Sequence, residues 1–289
     1  MKLGWEEARA LRLERHHLHR RAPRGSELRV AGRICGLHAQ LLSSAVLSLW
    51  TRVEGTSLEA FQRALWRERT LVKIWAMRGT LHLLPARDLP IYLGALGTYR
   101  HYLTQGWVKY FGVTREEIEL VIETVGDVLR GRVLTRDQLA DAVVERTSSK
   151  KLGVVLRQGW GVLLKPAAYR GQLCFAEGEG ARVRFTHPGP VRQLEPPKAL
   201  AELARRYLGA YGPAAHKGRI FRPQGWISPA LLVDGHVEGV WRHERRKGRL
   251  EVRIDPFARQ QPRVRAGAAE EAERLAVFLG SRLDKLAWR

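Results

Sequence analysis

Apolar residues along the 289-residue chain recur in two rhythms, and the points where the rhythm changes outline the fold. Residues 5–21 carry leucines and arginines at helical spacing and predict a basic helix ending before Pro23. Residues 26–36 and 43–53 predict two further helices, with Gly36 a helix-terminating glycine and Ser43 or Ser44 an N-cap. Ser57 is placed to cap a third, which carries Leu58, Phe61, Leu65 and Trp66 at helical spacing. From Leu71 to Pro85 the pattern becomes strand-like around Gly79. Three helices followed by a hairpin is the order of a winged helix.

The same order then returns. Residues 86–111 predict a longer connecting helix ending near Gly112. Thr114 with Glu117, and Thr135 with Gln138, have the spacing of capping boxes, each starting a helix. A third helix is expected over residues 149–164. A hairpin follows, from Tyr169–Phe175 through a Gly178-Glu179-Gly180 turn to Arg182–Phe185, and His187-Pro188-Gly189-Pro190 breaks it. The repeat lies in element order rather than residue identity. Pro196-Pro197 opens a helix over residues 198–210, and residues 212–218 read as a linker. Short strands are expected at 226–233, 237–245 and 249–254, turning at Asp234-Gly235 and Lys247-Gly248. A last helix covers 266–280. The predicted class is α+β, mainly helical: tandem winged-helix domains plus a small C-terminal β-hairpin/helix module. The domains are residues 1–111, 112–195 and 196–289.

Charge gives this fold a partner. With 50 Lys+Arg against 29 Asp+Glu, the formal net charge is +21. Self-repulsion works against compactness, so such an excess points to a polyanion, double-stranded DNA first. No apolar run reaches membrane-spanning length, and Met1–Glu7 carries no signal-peptide core. Cys35 and Cys174, far apart in apolar settings, read as buried thiols in a reducing, cytoplasmic and nucleoid-associated monomer. His16-His17-Leu18-His19 lies in an arginine-rich helical stretch and reads as a solvated or phosphate-facing surface, not a metal tract. No Walker loop, zinc-ligand cluster or Gly-x-Ser-x-Gly elbow is present, so no cofactor and no metal is expected.

The sharpest chemical candidate is His38-Ala39-Gln40, between the Gly36 stop and the next helix. On a helix, residues two apart point to nearly opposite sides; in an extended joint they share a side. By spacing alone the pair can equally cap helix ends.

Three separated segments carry a resemblance. They are Trp75-Ala76-Met77-Arg78-Gly79-Thr80-Leu81-His82-Leu83-Leu84-Pro85, Leu163–Phe175, and Phe221–Pro229 followed by Trp241-Arg242-His243-Glu244. Together they resemble the AlkZ/YcaQ-type winged-helix DNA glycosylases of bacteria, from about residue 9 to 280. The resemblance implies a C-shaped array of winged helices and removal of 7-alkylated purines, including bulky adducts and interstrand crosslinks. The family's Gln-apolar-Gln or Gln-apolar-Asp motif falls on His38, Ala39 and Gln40, so His replaces the first Gln. Tyr211-Gly212-Pro213-Ala214 resembles the opening of a third winged helix, yet the chain passes almost at once to Phe221-Arg222-Pro223. The third winged helix is therefore expected to be missing.

Hydrolysis of an N-glycosidic bond passes through an oxocarbenium-like sugar. A 7-alkylguanine already bears positive charge and departs readily, so the enzyme needs mainly to position water and stabilise the sugar cation. Gln40 offers a carbonyl to hold water, and neutral His38 a ring nitrogen as acceptor or general base. Arg78 and His82 on the first wing are candidates to hold phosphate, or else to pair with Glu68 or Asp88 or pack in the hairpin. Lys150, Lys151, Arg157 and Arg170 are expected to meet the DNA backbone, and Arg219, Arg222 and Gln224 to reach the duplex. Trp226 and Trp241 read as core. Two rivals are a non-catalytic winged-helix DNA-binding or regulatory protein and a binder of structured RNA, the latter lacking RNP-like aromatic segments.

Overall fold

The computed structural model describes residues 5–158, 161–179, 182–210 and 228–289. The chain folds as mixed helix and sheet in two units that are not successive stretches. One unit draws on residues 26–39 and 62–210; the other draws on residues 1–25, 40–61 and 211–289, as far as these are described.

The larger unit holds two three-stranded sheets of the same design. In the first, α2 (Glu27–Arg33) leads into a two-residue strand β1 (Leu37–His38). This pairs with β3 (Leu81–Pro85), which pairs in turn with β2 (Leu71–Trp75), in the order β1-β3-β2. In the second, α7 (Arg115–Leu129) leads into β4 (Leu134–Thr135), followed by α8 (Arg136–Thr147), α9 (Lys150–Arg157) and α10 (Lys165–Tyr169). The strands β5 (Cys174–Glu179) and β6 (Arg182–Thr186) complete the order β4-β6-β5. Both predicted capping boxes form: Thr114 and Thr135 accept the N–H of Glu117 and Gln138, whose side chains reach back to the cap N–H groups. One hydrophobic core serves both sheets. Trp75 packs edge-on to Phe175 at 4.7 Å between ring centroids, and Phe175 meets Phe185 at 5.1 Å. The Trp75 contact thus fastens the second hairpin to the first by about 1 kcal/mol beyond area burial.

The second unit contains α1 (Trp5–Arg15), α3 (Leu42–Trp50) and a C-terminal sheet. The sheet comprises β7 (Ala230–Val233), β8 (His236–Arg246), β9 (Arg249–Pro256) and β10 (Arg282–Trp288), in the order β10-β9-β8-β7. Both predicted turns form, with Asp234-Gly235 and Lys247-Gly248 at positive φ. The helix α12 (Pro262–Phe278) packs Ala272, Leu275 and Ala276 on Leu250, Val252 and Ile254. Trp241 packs on this core, as its strand neighbours imply. Trp226 and the 212–218 linker lie outside the described residues.

Several expected elements differ. The basic helix stops at Arg15 instead of residue 21, because His17 turns left-handed and the N–H groups of Leu18 and His19 return to the Leu13 carbonyl. Neither Ser43 nor Ser44 caps α3; Leu41, in extended backbone, precedes it with no side-chain cap bond. The connecting helix over 86–111 is broken into α5 (Leu89–Leu96) and α6 (Gln105–Phe111), with Thr98 turning back to bond the Ala95 carbonyl. The 149–164 helix ends at Arg157, and Gly161 is left-handed. Lys165–Tyr169 is helical, so the second hairpin begins at Cys174 rather than Tyr169. The strands β1, β4 and β10 were not visible in the pattern: two are only two residues long, and β10 is parallel to β9.

Gly36 fixes how β1 enters its sheet. Its φ is +85°, its N–H bonds to the Ala31 carbonyl at 2.8 Å, and an added Cβ would lie 2.6 Å from Leu84 Cδ2. Gly112 also has positive φ, +63°, but a Cβ there meets nothing within 4 Å. Gly112→Ala should therefore cost only the backbone penalty, about 1 kcal/mol, and Gly36→Ala about 2 kcal/mol more, in urea unfolding. Equal losses would show that the Leu84 contact imposes nothing.

Candidate active site

His38 is placed by three successive residues of chain. Leu37 is buried and pairs with Leu83; His38 pairs with His82; the Ala39 N–H donates to the Leu81 carbonyl at 2.7 Å. Alternation along the short strand turns Leu37 inward and leaves His38 half-buried. The two imidazoles meet edge to face, with ring centroids 5.7 Å apart and planes at 87°.

His82 lies inside the hairpin, its residue only 2% exposed. Its Nδ1 is 3.1 Å from the Thr80 carbonyl. A carbonyl can only accept, so Nδ1 carries the proton and Nε2 is bare. Burial lowers the pKa of His82 to about 4; the Thr80 bond works against this shift, and the charges of His38 and Arg78 add to it. His82 thus takes the hairpin-packing role, with neither Glu68 nor Asp88 as its partner. The pKa of His38 is also lowered, first by burial and then by the charge of Arg78. Arg78 is exposed at the hairpin tip, in left-handed backbone at φ 57°, ψ 20°. At neutral pH this corner offers a neutral imidazole able to accept a proton or a hydrogen bond, beside a fixed guanidinium charge.

Gln40 follows two residues on, at the start of the other unit. It is exposed, with no hydrogen bond among the described residues. Lys150 is exposed at the start of α9. The other expected DNA contacts on the second sheet's elements hold acidic partners: Lys151 with Glu117 at 2.8 Å, Arg157 with Asp141 and Asp137, and Arg170 with Glu119 at 3.0 Å. Each must exchange a carboxylate before it meets a phosphate. Arg219, Arg222 and Gln224 lie outside the described residues.

Two groups to which the sequence assigns no site role, Lys165 near the 149–164 helix and Tyr169 at the start of the second hairpin, also reach the tip. A Cβ built on Gly79 would lie 3.1 Å from Tyr169 Oη and 3.4 Å from Lys165 Nζ. Some 90 residues of chain separate these groups from the hairpin, and no local pattern reports such a meeting. Cys35 and Cys174 are free and buried, and burial pushes the Cys174 thiol up to about 11. Among the described residues, no group of three or more His, Cys, Asp or Glu is arranged to hold a metal ion. None of their helices is long and apolar enough to cross a membrane.

The profile of the family described as DNA glycosylase AlkZ-like matches residues 31–218 and 214–278. The chain belongs to that family. The two matched stretches meet at 214–218, where the sequence passes straight to the C-terminal module. An interstrand DNA cross-link repair glycosylase of Streptomyces sahachiroi is 37% identical over 221 residues, 74% of this chain and 59% of the relative. By sequence the chain thus spans under two thirds of that relative's length. The solved structure of the Streptomyces sahachiroi DNA glycosylase AlkZ superposes with a TM-score of 0.84 at 28% identity, over 100% of both chains.

The His82 shift makes stability depend on pH. Its folded pKa, about 4, lies below the ordinary 6.5, so between these values the unfolded chain binds a proton that the folded chain refuses. Stability is complete above 6.5 and falls as pH drops toward 4. Urea unfolding should show a loss of about 2 kcal/mol between pH 7 and pH 5 that His82→Leu does not share. An identical pH slope in the variant would contradict the burial of a neutral ring.

Proposed function

We propose that this chain is a monofunctional DNA glycosylase that excises cationic 7-alkylated purines from double-stranded DNA, bulky adducts and crosslinks included. The observation that carries the reading is the neutral, half-buried His38 imidazole, held opposite buried His82, at the family's motif position. The repeated sheet order, a short strand pairing with the second strand of a hairpin, supports tandem winged helices as the scaffold.

The chemistry needs little from the protein. The N9–C1′ bond breaks with its electron pair leaving on a base that is already cationic, and water adds to C1′. His38 takes the water's proton, while the Gln40 carbonyl orients that water. No protonation of the leaving base is required, which suits a corner without an acid. A normal purine, which does require it, is not a substrate. If the third winged helix expected from the family is missing from the sequence after Tyr211, DNA binding leans on the two that remain.

Incubation with a duplex carrying 7-methylguanine should give alkali-labile abasic sites. His38→Ala and Gln40→Ala should each lower the single-turnover rate by ~100-fold or more, with duplex affinity retained. The rate should fall on the acid side with a midpoint below 6.5, as His38 becomes charged. Salt-dependent binding without abasic product, across methyl and bulky adducts, would instead identify a non-catalytic DNA-binding protein.

A further inference from the structure

The first hairpin tip gathers positive groups, with no ion-paired carboxylate among the described residues. Arg78 and Lys165 have no ion pair or hydrogen bond among the described residues. Lys165 is half-buried, and burial lowers its pKa with no carboxylate acting against the shift. The charges felt by His38 and His82 are those of Arg78 and of His38 itself; no carboxylate is among them. In the same unit Lys151, Arg157, Arg170 and Arg206 each hold an acid. A desolvated ammonium with no carboxylate acting on it is costly to maintain in the free protein.

The geometry at the tip is built for a close approach. Gly79 has no side chain, so Lys165 Nζ and Tyr169 Oη come in against the tip backbone, next to Arg78 in sequence. Tyr169 is 5% exposed, braced edge-on by Tyr99 at 5.8 Å between ring centroids. Its pKa is raised to about 12, by burial first, so its hydroxyl keeps a proton to donate. An ammonium, a guanidinium and a phenol, all donors and none acceptor-only, are the complement of a phosphodiester oxygen pair.

We propose that Lys165, with Arg78 and the Tyr169 hydroxyl, forms a phosphate clip that holds one phosphodiester beside the nucleotide presented to His38. Lys165 is then a positioning residue, in a site that rests on the glycosylase reading for its purpose but not for its existence. The bound phosphate supplies the counter-charge that the tip lacks, and the clip fixes the register of the strand. Lys165 as a point charge gives grip, and Arg78 as a fork gives direction.

Binding to duplexes carrying a tetrahydrofuran abasic analogue tests this. A series of such duplexes has one neutral methylphosphonate at each of the three phosphates on either side of the analogue. For the wild-type protein, one position should weaken binding about tenfold. Lys165→Ala should weaken the all-phosphate duplex to a similar extent, reduce the slope of log K against log salt by about one, and become insensitive to that same methylphosphonate. Lys165→Arg should restore both sensitivity and slope. A Lys165→Ala protein of unchanged melting temperature, keeping the wild-type salt slope and phosphate profile, overturns the clip. If the wild-type chain excises no 7-methylguanine but these phosphate effects appear, the clip stands and the glycosylase reading fails. If excision proceeds and the phosphate effects are absent, the reverse holds.

Discussion

Two residues of pairing, Leu37 and His38 on β3, constrain the site on which the proposed function rests. The run is too short to hold itself, and it is fixed from both sides. Upstream, Cys35 and Gly36 both take positive φ, reversing the chain out of α2 and pressing Gly36 on Leu84. Downstream, the Ala39 N–H bonds to Leu81. Within that frame a shift of one residue would exchange the faces of Leu37 and His38, putting an imidazole in the core and a leucine at the surface. The hydrophobic requirement at Leu37 therefore sets where His38 points. The burial of His82 opposite sets its charge state.

Charge is distributed with the same economy. A net charge of +21 would suit any polyanion binder, and most of it says nothing about a site. Many arginines are held by carboxylates at close range, some inside the larger unit, such as Arg206 with Asp88 at 3.0 Å. Around Arg78, Lys165 and the two histidines no such balance is found among the described residues. Neutral imidazoles suit this setting better than carboxylates, which would compete with DNA for the cations. The pre-charged leaving base of the proposed reaction would not call for an acid either.

Much of this was legible in the chain. Both capping boxes, the first hairpin and the two turns of the C-terminal sheet follow from local chemistry, because Thr-x-x-Glu/Gln spacing and Asp-Gly or Lys-Gly pairs act over a few residues. The pairing of β1 with β3 did not, since two residues carry no periodicity, and the same holds for β4. The broken connecting helix was missed because Leu89–Leu96 and Gln105–Phe111 are each apolar enough to read as one run. At the break Thr98 Oγ1 donates to the Ala95 carbonyl. His38 and Gln40 were proposed from motif position and from their extended spacing. Lys165 and Tyr169 carried no site signal, because the aromatic packing of Trp75 on Phe175 brings their segment to the hairpin.

The ionisation of His38 is open to direct observation. Titration of the chain with 13C-labelled histidine, with the His38 signal assigned by its loss in His38→Gln, gives the midpoint in the free protein. A value below 6.5, moving upward in Arg78→Ala, is the result expected of a desolvated imidazole kept ready as an acceptor at neutral pH. A midpoint at or above 6.5, unmoved by the loss of Arg78, would mean that His38 is an ordinary solvated side chain, and the proposed chemistry would lose its base.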